Sequence, residues 1–123
     1  MGTLLVVLIG LIAGLHFYFM WMEMFAWTTV GKKTFKNFPA DLFEKTQVLA
    51  ANQGLYNGFI AVGLLWSILI SNLAWSFNVG TFFLGCVLVA GLYGWYSVSV
   101  RIFYIQGLPS LLALSLLLYL KYS

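Results

Sequence analysis

Four apolar runs dominate the chain, at about residues 3–30, 46–71, 81–100 and 109–119, separated by one charged stretch and two short breaks. A helix needs about 20 apolar residues to cross the roughly 30 Å of bilayer hydrocarbon, so the first three runs are long enough and the fourth is short for the task. The runs are continuous. A membrane-spanning sheet would instead close into a barrel whose strands alternate between lipid and lumen, so strands are not expected. The predicted fold is all-α: a four-transmembrane-helix bundle forming one integral membrane domain over residues 1–123.

The breaks carry their own signals. Gly31 to Lys45 mixes Lys32, Lys33, Lys36, Asp41, Glu44 and Lys45 with Phe35, Phe38, Leu42 and Phe43, as an interfacial segment does. Pro39 followed by Asp41 and Glu44 marks a helix start, with proline in the first turn and acids near the positive dipole end. Asn72 to Gly80 reads as an uncharged connection with Trp75 and Phe77 at headgroup level, and Gln106-Gly107-Leu108-Pro109 as the break before the fourth span. Tyr93, Ser97, Arg101 and Tyr104, spaced four, four and three apart, predict one polar stripe at the end of the third helix. Glycines at 54, 58, 63, 85, 91 and 94 thin the helices for close packing, and Gly10 with Gly14 offers a small-xxx-small face for a homo-oligomer.

Composition agrees. The chain is 63% hydrophobic and 7% charged, far from the roughly 25% charged residues of a soluble domain. No Lys or Arg precedes the first run, which is longer than the about 15 apolar residues of a signal peptide, so it is expected to remain as a span. Of six basic residues, Lys32, Lys33, Lys36, Lys45 and Arg101 fall in the first and third connections and Lys121 lies on the other side. By the positive-inside rule those connections are expected to be cytoplasmic and both termini to lie outside the cell membrane. The net charge of +3 is thus a topology signal, with membrane lipids as partners and no nucleic acid expected. Cys86, the one cysteine, falls within a predicted span and reads as a small buried apolar residue.

Against this background the stretch Asn52-Gln53-Gly54-Leu55-Tyr56-Asn57-Gly58 stands out. Polar side chains in hydrocarbon cost several kcal/mol when unpaired, so these must face other helices, a ligand or internal water. Counting from the cytoplasmic surface, Glu23, the pair Asn52 and Gln53, and Tyr93 with Tyr96 share a depth of roughly 10 Å. His16, Tyr56 and Asn57 form a deeper layer, and Arg101 lies near the rim. The expectation is one cavity, with Asn52, Gln53, Tyr56, Asn57, Tyr93 and Arg101 as ligand-binding residues and Glu23 and His16 as candidate catalytic groups. Glu23 carries the strongest case, since an ionised carboxylate in lipid is costly unless paired; its roles are proton donor or acceptor, counter-ion, or a structural group held by a static pair with Arg101 or by a hydrogen bond to Tyr or Asn. One His, one Glu and several amides do not make a zinc set, so no metal is expected, and no cofactor motif is present.

The His and Glu of the first span, the heptapeptide 52–58, Ala90-Gly91-Leu92-Tyr93-Gly94 and Gln106-Gly107-Leu108-Pro109 together resemble a family of small bacterial integral-membrane proteins, domain of unknown function 1304. The likeness runs over essentially the whole chain and implies a compact membrane protein of this size; it implies no catalytic assignment. Three functions stay open at this point. One is a binding or enzyme-like protein holding a small amphipathic or lipidic ligand, with proton transfer at Glu23. Another is a homo-oligomeric proton-coupled transporter, although the two halves do not repeat each other's polar pattern. The third is a non-catalytic scaffold subunit whose polar groups join helices.

Overall fold

Hydrocarbon leaves a backbone two ways to satisfy its N–H and C=O groups, helix or closed barrel, and this chain uses helix in each of its long apolar stretches. The computed structural model describes all residues, Met1–Ser123. Its α-helices are α1 (Thr3–Phe25), α2 (Lys32–Thr34), α3 (Ala40–Lys45), α4 (Gln47–Leu69), α5 (Leu73–Ser97), α6 (Val100–Ile102) and α7 (Leu108–Tyr122), with π-helical turns at Trp27–Gly31 and Phe103–Gly107 and no strand. Four stretches, Thr3–Phe25, Gln47–Leu69, Leu73–Ser97 and Val100–Tyr122, are long and apolar enough to cross a membrane.

The helix ends depart from the sequence reading in ways local chemistry explains. α5 starts at Leu73, within the stretch expected to be a connection, because the Asn72 side chain accepts a hydrogen bond from the Trp75 N–H at 3.0 Å and caps the first turn. The polar stripe expected through Tyr93, Ser97, Arg101 and Tyr104 is not one helix face. α5 ends at Ser97, Ser99 is extended, and Arg101 belongs to α6. The proline expected to break the chain before the last span is instead absorbed. Pro109 has no N–H and its ring crowds the carbonyl four residues back, and the preceding turn widens, with the Leu108 N–H bonding to the Phe103 carbonyl five residues earlier. Val100–Tyr122 therefore continues as one 23-residue helix. The start marked by Pro39 is found as α3, and Thr46 offsets it from α4.

The chain divides into two compact units, one of residues 1–13 with 62–123 and one of residues 14–61. In the first unit, Leu5, Ile9, Leu64, Leu84, Val87, Ala113 and Leu117 form the core. The approach of α5 to the second π turn is backbone on backbone: a Cβ on Gly91 would collide with the Gly107 Cα and N. Gly63 seats the Phe83 ring and Gly80 lies under Leu117. Buried serines join the helices by donating to carbonyls, Ser76 to Ser67 at 2.6 Å and Ser110 to Leu84 at 2.5 Å. Each such hydrogen bond leaves no hydroxyl stranded in an apolar core.

In the second unit the C-terminal part of α1 meets the N-terminal part of α4, and an aromatic cluster closes the connecting segment. Trp27 lies 5.0 Å from Phe43 and 5.7 Å from Phe35, ring centre to ring centre, and Phe35 stacks on Phe38 at 5.6 Å. Trp27 Nε1 donates to Thr46 Oγ1 at 3.0 Å, so the indole is fixed at both its apolar face and its polar edge. Phe43 is 1% exposed and anchors α3 in this cluster.

Candidate intramembrane polar site

α4 presents two chemically different faces. Ala50, Gly54, Asn57, Gly58 and Ala61 recur at helical spacing and are buried or half-buried. They form a strip of small residues with one amide in it. Against the strip lie Met20, Glu23 and Met24 of α1. A Cβ built on Gly54 would lie 2.8 Å from Met24 Cγ and 3.0 Å from both Glu23 Cβ and the Met20 carbonyl; one on Gly58 would lie 2.7 Å from Met20 Sδ. The two glycines form a groove and the two methionines fill it, a fit that brings the backbones close enough for a short polar side chain to bridge them.

That bridge is the hydrogen bond from Asn57 Nδ2 to Glu23 Oε1. Glu23 is the one acid in the four long helices, since Asp41 and Glu44 lie on α3. It is half-buried, with apolar methionines on both sides. An amide suits a carboxyl in either protonation state: it donates to the carboxylate through nitrogen and, turned over, accepts from the acid through oxygen. His16 is fully buried, its ring edge-on to Phe19 at 5.4 Å. Seven residues of helix place it about 10 Å from Glu23 along the axis, beyond direct hydrogen-bonding reach.

The other residues expected in one cavity are placed differently. Asn52, Gln53 and Tyr56 are exposed on the side of α4 away from the Gly54, Asn57 and Gly58 strip. Asn52 Nδ2 donates to the Val48 carbonyl of its own helix at 3.1 Å, and the Tyr56 ring rests near Phe59 at 6.1 Å. Of the heptapeptide's polar side chains, Asn57 alone reaches Glu23. Tyr93 and Arg101 belong to the first unit. There Tyr93 is exposed, packs beside Tyr96 at 6.2 Å and borders an apolar groove with Phe82, Gly85, Cys86 and Val89. Arg101 is exposed on α6.

Met20 and Met24 were not anticipated from sequence. The available signal was their spacing around Glu23, three residues before it and one after, which puts all three on one helical face.

Comparison with known proteins places residues 10–118 in the match to a family described as protein of unknown function (DUF1304). The chain is also similar to the uncharacterized protein YpaA of Lactococcus lactis subsp. lactis (strain IL1403), at 30% identity over 115 residues covering 91% of this chain and 95% of that one. No solved structure matches.

Proposed function

The chain belongs to the DUF1304 family, and from that premise we propose that it is a multi-pass protein of the bacterial cell membrane whose α1–α4 seam binds a small amphipathic or lipidic molecule, with Glu23 as the group that exchanges a proton with it. The observation that carries this reading is the Glu23–Asn57 pair: a half-buried carboxyl among methionines, with a single amide as its hydrogen-bond partner and no cation on it. A static ion pair would be the economical way to hold a structural carboxylate in hydrocarbon. An amide partner leaves the carboxyl able to take up or release a proton without losing its hydrogen bond.

Orientation supports entry from the cytoplasmic leaflet. Lys32, Lys33 and Lys36 share one short segment of the chain with Phe35 and Phe38, and that combination of cations with aromatics suits anionic headgroups on the cytoplasmic side. Both termini then lie outside.

Two measurements test the proposal. Native mass spectrometry from mild detergent should show a small-molecule adduct on the wild type that Glu23→Gln loses; an adduct held equally by both would remove Glu23 from the site. Infrared titration against Glu23→Gln should show the carboxyl band appearing and vanishing reversibly. A group ionised at every pH down to about 4, the range of a free carboxyl, ends the proton-exchange reading.

A further inference from the structure

The polar residues of α4 that do not meet Glu23 raise a separate question. Taking Asn52 as the reference direction and 100° per residue, Tyr56 lies at about 40°, Leu49 at about 60° and Gln53 at about 100°, whereas the packed strip of Ala50, Gly54, Asn57, Gly58 and Ala61 lies at about 140–240°. Phe59 and Leu55 flank the polar set on its other side. Leu49, Asn52, Gln53, Leu55, Tyr56 and Phe59 are all exposed.

Gln53 lies about 9 Å and Tyr56 about 14 Å along α4 from its first residue, inside a helix of bilayer-crossing length. Neither the Gln53 amide nor the Tyr56 hydroxyl has a hydrogen-bond partner in the chain, and Asn52 spends only its NH₂ group, on its own helix. Amides and hydroxyls left unpaired at that depth cost several kcal/mol, so something outside this chain meets them.

We infer that the outward face of α4 is a self-association surface, covered by α4 of a second copy of this chain. Copies inserted in one membrane share an orientation, so the two-fold axis relating them runs along the membrane normal and residues near it meet their own equivalents at equal depth. Such a surface must be made of groups that can pair with themselves. A primary amide can, since it donates through nitrogen and accepts through oxygen. A charged residue cannot, and the face has none: Lys45, the nearest cation in sequence, is on α3 and pairs with Asp41 at 3.1 Å. The absence of a cation also argues against a phospholipid headgroup as the occupant, because nothing there would hold its phosphate. Leu49, Leu55 and Phe59 supply the apolar rim that excludes lipid from the amides. This surface is distinct from the Glu23 seam, since none of its side chains reaches Glu23 and all of them are exposed.

The test combines cross-linking with association measured by energy transfer between labelled copies in lipid vesicles. In a Cys86→Ala background, Gln53→Cys should form a disulfide-linked dimer under mild oxidation, while Val89→Cys, also exposed but on α5, should not. Gln53→Leu and Tyr56→Phe should each weaken association by about three- to tenfold, the range of intramembrane hydrogen bonds. Their thermal unfolding should be unchanged at protein dilutions where the chain is monomeric, because neither the Gln53 amide nor the Tyr56 hydroxyl has a hydrogen-bond partner within the chain. Cross-linking of Val89→Cys as readily as Gln53→Cys would overturn the proposal. So would association that Gln53→Leu leaves unaltered, or wild-type chains that stay monomeric as protein in the vesicles is raised.

Discussion

Asn57 on α4 donates its side-chain amide to the carboxyl of Glu23 on α1, 34 positions apart in the chain. This hydrogen bond exists because Gly54 and Gly58, on either side of Asn57, let α1 come close. Replacing Asn57 by Leu leaves Glu23 without its partner and should destabilise the protein by about 1–3 kcal/mol, the cost of a stranded polar group. Glu23→Gln keeps an amide-to-amide hydrogen bond and should change unfolding by well under that amount. Unfolding in detergent by heat or denaturant distinguishes the two.

The two glycines of the seam should respond unequally to alanine. At Gly58 the new methyl meets the flexible end of Met20, which can move, whereas at Gly54 it meets the Met20 backbone carbonyl as well as Met24. Gly54→Ala is expected to cost about 1–3 kcal/mol, the usual penalty of overpacking, and Gly58→Ala clearly less. Equal losses at the two positions would show that the seam does not close on the α1 backbone at Gly54.

A larger contrast is expected on α5. Gly91→Ala drives a methyl into the backbone of Gly107, where neither helix can give way by turning a side chain. Loss of the folded state or a steep fall in its thermal midpoint is the expected outcome. Gly85→Ala meets no atom within 4 Å. It should be neutral to slightly stabilising, since alanine exceeds glycine by about 1 kcal/mol in helix propensity.

Trp27 and Thr46 can be tested as a pair. Trp27→Phe and Thr46→Val each remove the indole-to-hydroxyl hydrogen bond, worth about 0.5–1.5 kcal/mol net. The double variant should be less destabilised than the sum of the two. Strict additivity would show that the hydrogen bond contributes nothing to stability.

The proposed orientation is accessible to labelling in intact cells. In a Cys86→Ala background, Ser123→Cys should react with an impermeant thiol reagent, and Asn37→Cys, exposed in the connecting segment, should react only after the membrane is opened. The reverse pattern would invert the topology.

The sequence by itself determined that the chain is helical and that three of its apolar runs are long enough to cross a membrane, because continuous apolar runs over that length admit no other way to satisfy the backbone; that the fourth helix, Val100–Tyr122, is equally long was decided by the structure, where a widened turn carries the helix through Pro109. The sequence also picked out Glu23 and Asn57 as groups needing partners, and Gly54 and Gly58 as places of close approach. Only the tertiary structure decided which polar residues meet. Depth in a membrane is counted along the chain, but the direction a helix face turns depends on which side chains fill which grooves. Met20 and Met24 fill the glycine groove of α4; that turns Asn57 to Glu23 and leaves Asn52, Gln53 and Tyr56 exposed outside the seam. Which face of α4 meets α1 was not legible, because periodicity shows how residues group around a helix and not which group its neighbour takes.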